Sequence, residues 1–479
     1  MDRASFYAVG LTLVATLGGL LFGYDTAVIS GAVGAIDANF INPRGLSETA
    51  RNSLSGFAVS SALLGCVIGG AGAGWIAHAL GRRRGMMLAA VLFLVSAIGS
   101  AFPELGLAAV GSMGPAALTP FIIYRILCGV GVGLASMLSP LYIAEVAPPD
   151  RRGRLVSYNQ MAIVIGIVSV YFVNWAIASH GDDAWINRWG WRWMLGSEAI
   201  PALLFLVLLF GVPETPRWLC MKGRVDDARE VLRRLGEETR TDAVLEEIRS
   251  SFQQHSGRLF TFGAGVVVIG LVLSMFQQFV GINAVLYYAP AIFKNMGYST
   301  NSAFLQTVIV GAVNMIFTLV AIFTVDRMGR KPLLIIGALL MAAAMLALGT
   351  QFYLGKLGVG ALVAMLVYIA GFSMSWGPVV WVLLSEMFPN AIRNKALAIA
   401  VAAQWVANLF VSSTFKVLDG DAWLNAHFHR GFPYWLYGGM SLAAALFVIR
   451  FIPETKRRDL EAIEQLWART ASPLRPSAL

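Results

Sequence analysis

Three ionisable side chains stand inside stretches that are otherwise apolar: Asp25, Arg125 and Glu198. Burying any one of them alone in hydrocarbon is costly or drives it to its neutral form. Ionisable residues at such places are therefore functional by default. A carboxylate that pairs with a guanidinium when ionised, and loses that attraction when protonated, is a proton switch. Asp25 with Arg125 as partner has that chemistry, and Glu198 would tune the pair. The alternative is a structural ion pair that only ties helices together. Catalytic chemistry has no comparable support. The sequence holds no Walker loop, no metal-ligand cluster and no nucleophile with a plausible base. Gly129-Val-Gly131-Val-Gly133 has no preceding strand, so its small residues are expected to permit close helix packing. Cys66, Cys128 and Cys220 share no metal-ligand spacing and are expected to be free thiols. No metal, cofactor or enzymatic activity is expected.

The elements that must position these groups follow from composition. The 479 residues are 57% hydrophobic and 13% charged, about half the charge share of an ordinary soluble domain. Such a chain cannot cover a water-facing surface, and much of its exterior must face a lipid bilayer. A bilayer core of about 30 Å needs on the order of 20 apolar residues per helix. Runs of that kind lie near 6–30, 54–77, 86–103, 118–141, 155–178 and 194–212, then near 260–289, 303–325, 332–354, 358–384, 395–415 and 432–451. The run from Phe6 has no cleavage signature before it and reads as the first spanning helix. The fold class is thus an all-α membrane protein with twelve transmembrane helices. The net charge of +9 reads as topology rather than nucleic-acid affinity, because the basic residues sit in loops between apolar runs. With the N-terminus inside, the cytoplasmic loops hold 20 Lys plus Arg and the outer loops 8, so both termini are expected on the cytoplasmic side. Residues 217–250 place Trp218, Leu219, Val225, Val231, Leu232 and Leu235 at helical spacing among charges, which predicts short amphipathic helices bracing the membrane domain.

Three signals recur about 240 residues apart. His78-Ala-Leu-Gly81-Arg82-Arg83 is matched by Asp326-Arg327-Met-Gly329-Arg330-Lys331. Glu145, seven positions before Arg152, is matched by Glu386, seven before Arg393. Pro213-Glu214-Thr215 is matched by Pro453-Glu454-Thr455. The offsets are 248, 241 and 240, in the same order and each at a cytoplasmic helix end. Interfacial anchoring would explain the basic residues but not the acids at fixed offsets. The division expected is a six-helix half over 1–212, linker helices over 213–258, a second half over 259–453 and a tail over 454–479. Arg82, Glu145, Arg152, Glu214, Arg217, Asp326, Arg330, Glu386, Arg393 and Glu454 would form conformational locks, and a site between the halves could open to each side in turn.

The paired Gly-Arg-Arg/Lys loops, the repeated Glu-x6-Arg, Pro213-Glu-Thr-Pro-Arg217, Gln277-Gln278-Phe-Val-Gly-Ile-Asn283 and Trp376-Gly-Pro-Val-Val-Trp381 resemble the sugar porter family of the major facilitator superfamily. The likeness runs end to end. Leu20-Leu-Phe-Gly-Tyr-Asp25-Thr-Ala-Val-Ile-Ser-Gly31 and Ala402-Ala-Gln404-Trp405 narrow it, and on them D-xylose is the sugar expected. The resemblance implies uptake of a monosaccharide with a proton at a bacterial inner membrane, by a protein expected to work as a monomer. It also implies a sugar site formed by Gln277, Gln278, Asn283, Tyr287, Trp381, Gln404 and Trp405, with Phe22. Amides suit hydroxyls that both donate and accept, and indole rings suit sugar C–H faces. The family fold would bring Asp25, Arg125 and Glu198 together. Proton-independent relatives lack an acid at the Asp25 position, which favours symport. Two positions depart from the pattern: His78 stands where an acid is common, and Ile167 stands where relatives have a sugar-binding glutamine. A hexose carrier is the alternative transporter. A sugar sensor would be expected to carry a long cytoplasmic extension, against 26 residues after Pro453.

Overall fold

The computed structural model describes residues 3–147, 152–236, 240–251, 259–260, 264–389 and 392–454. Its described regular elements are all helical. Twelve of the described helices are long and apolar enough to cross a membrane: α1 (Phe6–Gly31), α2 (Glu48–Ala79), α3 (Arg82–Ala101), α4 (Gly114–Val146), α5 (Leu155–Ala178), α6 (Asp183–Leu209), α7 (Ala264–Asn295), α8 (Thr300–Val325), α9 (Arg330–Tyr353), α10 (Val359–Leu384), α11 (Lys395–Gly420) and α12 (Phe432–Phe451). Contacts gather the chain into two compact units, one of residues 1–254, 287–294 and 298–311, the other of 255–286, 295–297 and 312–479.

The two units repeat a packing scheme. In the first, α3 packs on α4 and on α6, and α1 packs on α5. In the second, α9 packs on α10 and on α12, and α7 packs on α11. Glycines set the spacing in the first unit. A Cβ on Gly65 would strike the Ile126 carbonyl of α4, and one on Gly129 would strike the Ala62 carbonyl of α2. Gly133 meets the backbone at Cys66 and Gly70 in the same way. The glycine run of α4 is therefore a helix-packing surface, as its mid-helix position suggests. Gly23 on α1 and Gly166 on α5 make the matching close approach to Ile163 and Leu20.

The sixth helix begins earlier than the apolar run at 194–212, because Asp183, Arg188 and Arg192 interrupt the hydrophobicity there. The structure resolves the cost of one of these charges. Arg192 makes a bidentate pair with Glu104, at 2.9 and 2.8 Å, and donates to the Ala101 carbonyl at 2.8 Å. Its guanidinium also lies 4.5 Å from the Trp191 ring centre. Burial alone would raise the Glu104 carboxyl, but the hydrogen bonds from Arg192 hold it below the usual carboxylate range.

Between the spans, helices Pro216–Met221, Val225–Arg234 and Thr241–Ser251 pack on one another. Trp218, Leu219, Ala228, Val231 and Leu232 are buried, while Arg224–Asp227 and Arg234–Glu230 pair on the exposed side. The Trp218 indole donates to the His78 carbonyl at 3.0 Å, tying this layer to the end of α2. That contact gives His78, in the last turn of α2, a backbone role independent of its side chain.

Arg192→Ala would leave Glu104 buried without its partner, at a cost of about 3–5 kcal/mol. Thermal unfolding of the purified protein in detergent at neutral pH should show a clear loss. Replacing both residues by leucine should cost less than the single change. Equal losses in the single and double variants would show that packing, not the unpaired charge, sets the penalty.

Candidate functional site

The first unit brings Asp25, Arg125 and Glu198 into one buried cluster. Asp25 and Arg125 are each 2% exposed and Glu198 is 1% exposed. Arg125 Nη1 donates to Asp25 Oδ1 at 2.5 Å. At the contact between α1 and α4, a Cβ on Gly18 would strike the Ser139 hydroxyl of α4. Cys128, one turn beyond Arg125, lies between the two acids, with Sγ 3.0 Å from Asp25 Oδ1 and 3.7 Å from Glu198 Oε1. The ligand atoms of Asp25, Cys128 and Glu198 lie within 4.8 Å of one another. A soft divalent ion could use such a trio, but the Arg125 charge already neutralises Asp25 and opposes a second cation. One guanidinium can offset one carboxylate, and neutrality of the cluster takes one further proton. Beside the cluster is a void of about 10 Å³ lined by Asp25, Arg125, Cys66 and Tyr287, close to the smallest space that holds one water. Tyr287 thus stands with the ionisable cluster. Phe22 is half-buried one turn before Asp25 on α1.

The second unit gathers the amides. Helix α7 is broken at Gly281, whose φ of 93° and close approach to the Tyr437 ring suit only glycine. Tyr368 donates to the freed Val280 carbonyl at 2.8 Å. Helix α10 is broken at Ser375, and Gln277 Nε2 donates to the Trp376 and Gly377 carbonyls just after that break, at 2.9 and 3.2 Å. Asn283 donates to Gln278 Oε1 at 2.6 Å, Gln278 donates to Gln277 Oε1 at 3.4 Å, and Gln404 Nε2 donates to the same Gln277 oxygen. Gln277, Gln278, Asn283 and Gln404 therefore form one chain of amides. Gln404 Oε1 is buried without a protein partner. Trp405 follows Gln404 and is 7% exposed, while Trp381 is half-buried on α10. Broken helices beside a polar cluster are the usual form of a transporter's midplane site. The arrangement can exchange internal amide bonds for bonds to a ligand rich in hydroxyls.

The repeated charges close the helix ends within each unit. Arg82 pairs with Glu145 at 2.8 Å, and Arg330 pairs with Glu386 at 2.7 Å. Glu214 accepts the backbone N–H groups of Arg82 and Arg83 at 3.0 and 3.1 Å. Glu454 accepts those of Arg330 and Lys331 at 3.2 and 3.0 Å. A carboxylate at a helix N-terminus answers both the free N–H groups and the dipole. Arg393 donates to the Phe388 carbonyl at 3.2 Å, and Arg217 is exposed. The side chains of Arg152 and Asp326 lie outside the described part of the structure.

The family description "Sugar (and other) transporter" matches residues 11–467. The chain belongs to this transporter family. It is 57% identical to the D-xylose-proton symporter of Escherichia coli over 475 residues, 97% of this chain and 96% of the relative. It is 47% identical to the glucose facilitated diffusion protein of Zymomonas mobilis over 461 residues, covering 95% and 97% of the two chains. The inward-open structure of the E. coli xylose transporter superposes with a TM-score of 0.87 at 54% identity, over 96% of this chain and all of that one. The proton:xylose symporter bound to 6-bromo-6-deoxy-D-glucose gives 0.82 at 57% identity, over 97% and 99%.

Cys128 and the Glu104–Arg192 pair carry polar contacts that the sequence reading passed over. The spacing of Cys128 from Arg125, three residues on one helix, placed both on one face. Glu104 lay in a loop, where a carboxylate gives no signal of burial.

Gly81 and Gly329 adopt φ/ψ of 96°/173° and 93°/164°, a region used essentially by glycine alone. A Cβ at either would also press on the capping carboxylate of Glu214 or Glu454. Gly81→Ala and Gly329→Ala should each lower stability by about 1–3 kcal/mol, read as a drop in unfolding temperature in detergent. Gly74→Ala, which would meet nothing within 4 Å, should be neutral. Parent-like stability in the first two variants would show that the capped turns are not under this constraint.

Proposed function

We propose that this protein takes up D-xylose together with a proton across a bacterial inner membrane by alternating access. The observation that carries the proposal is the buried Asp25–Arg125 pair with Glu198 beside it, because a facilitator of neutral sugars has no need of a titrating acid there. In this reading an ionised Asp25 holds Arg125, and protonation frees α1 from α4 for the rearrangement. The organisation proposed is two six-helix halves over 1–212 and 259–453, with linker helices over 213–258, both termini cytoplasmic, acting as a monomer. The amide chain of Gln277, Gln278, Asn283 and Gln404, with the indoles of Trp381 and Trp405, supplies the sugar contacts. Tyr287 and Phe22 complete the proposed contacts. The charges at the helix ends of each unit brace its cytoplasmic face between the two states.

A hexose is the second reading, and Ile167 is the position that weakens the choice of D-xylose. This side chain is 6% exposed on α5, directly after the glycine that packs on α1. An isoleucine offers a hydroxyl neither donor nor acceptor. A sugar hydroxyl facing it would go unpaired at a cost of about 1–3 kcal/mol, roughly 5- to 150-fold in affinity.

Proteoliposome uptake of a panel of labelled pentoses and hexoses, with and without an imposed proton gradient, tests both readings in the parent and in Ile167→Gln. The expected result is accumulation of D-xylose only with the gradient, and tighter D-xylose binding in the variant. Gradient-independent equilibration of every sugar would overturn symport. Preference of the parent for a hexose would overturn the choice of D-xylose. Affinities within twofold of the parent for all sugars would show that Ile167 does not line the site.

A further inference from the structure

We infer that Cys128 is a positioning residue for proton coupling: its thiol links Asp25 to Glu198 and sets the pH at which the cluster takes up its proton. The inference rests on the reading of Asp25 as the coupling acid. Its physical basis is the geometry of a single sulfur atom. Sγ lies 3.0 Å from Asp25 Oδ1 and 3.7 Å from Glu198 Oε1, and Cys128 is 1% exposed.

A thiol has one hydrogen to donate and a sulfur that accepts weakly. At 3.0 Å the fitting arrangement is S–H donating to the Asp25 carboxylate, since the carboxylate is the stronger acceptor. Asp25 Oδ1 then receives two donors, Arg125 Nη1 and the thiol. The sulfur lone pairs remain for a donor from the other side, and the hydroxyl of a protonated Glu198 can fill that role. The chain runs Glu198 O–H to sulfur, then sulfur S–H to Asp25. Protonating Asp25 turns a carboxylate acceptor into the weaker acceptor of a neutral acid, so the thiol is held less firmly toward α1 and Glu198 faces a less fixed sulfur. One residue thereby makes the state of Asp25 felt on α6.

The groups facing this chain come from several elements. Arg125 is on the same helix as Cys128, Cys66 lines the adjoining void from α2, and Tyr287 lines it from α7. Tyr24, next to Asp25, is bound through its hydroxyl to Ser197 Oγ at 2.7 Å, beside Glu198. Among the ionisable groups here only Arg125 is a permanent cation. A neutral donor such as the thiol stabilises the ionised carboxylate without adding a charge, so it shifts the switch and leaves its charge balance intact.

Removing the donor should therefore move the pH midpoint of gradient-driven xylose uptake upward. A hydrogen bond of ordinary net strength corresponds to a shift of roughly 0.4–1 pH unit. Cys128→Ala should show that shift, and Cys128→Ser, which restores a donor, should return the midpoint toward the parent value. A midpoint unmoved in Cys128→Ala, or moved equally in both variants, would overturn the inference. A second measurement needs no functional variant. The S–H stretch lies in an infrared window clear of other protein bands and moves to higher frequency when the thiol stops donating. In the parent, the band lost in Cys128→Ser should rise in frequency as pH falls through the uptake midpoint. In Asp25→Asn it should be insensitive to pH over that range. A pH-independent band in the parent would overturn the link through Cys128 while leaving Asp25 as the coupling acid. Gradient-driven accumulation by Asp25→Asn would remove the reading on which the link rests.

Discussion

The ion pair between Asp25 and Arg125 is the constraint on which the first unit depends. Two charges, each 2% exposed, persist in an apolar bundle only while each answers the other. Their meeting at 2.5 Å requires α1 and α4 side by side, where Gly18 of α1 leaves room for the Ser139 hydroxyl of α4, and glycines open the neighbouring contacts too. Gly65, Gly129 and Gly133 bring α2 to α4, and Gly23 and Gly166 bring α1 to α5. Sequence, packing and charge thus form one argument. The glycines permit the approach, the approach permits the pair, and the pair gives the bundle a group whose protonation changes its internal energy. A second acid without its own cation, Glu198, makes the cluster one proton short of neutrality.

The second unit solves a different problem with the same architecture. Where the first buries charge, it buries amides beside two helix breaks. Gln277 donates to the Trp376 and Gly377 carbonyls just after the break in α10, and Tyr368 donates to the Val280 carbonyl freed at the break in α7. Amides bound mainly to one another can give up those bonds to a ligand at small net cost, since the exchange replaces like with like. In the proposed cycle the charged cluster supplies the drive and the amide chain supplies recognition.

Much of this was legible in the residues. Twelve apolar runs gave the fold class, and the recurrence of Gly-Arg, Glu-x6-Arg and Pro-Glu-Thr located helix ends that the structure closes with paired Arg–Glu contacts and carboxylate caps. The glycine run of α4 read correctly as packing. The start of α6 did not, because Arg192 looks like a loop residue until Glu104 is seen to neutralise it. Neighbours separated by 88 positions leave no local pattern. Tyr287 lines the void beside Asp25, a neighbour that its motif position after Gln277 and Gln278 does not show. The three cysteines are free thiols, as expected, but nothing in the sequence shows that Cys128 lies between two carboxylates on other helices.

The most direct test of this account compares two transport modes in Asp25→Asn. Asparagine keeps the size of the side chain and mimics the protonated acid, so the sugar pathway should survive while the switch is lost. The account predicts that exchange of labelled xylose across equilibrated membranes stays measurable and that accumulation driven by a proton gradient disappears. A variant that still concentrates xylose against its gradient would contradict it.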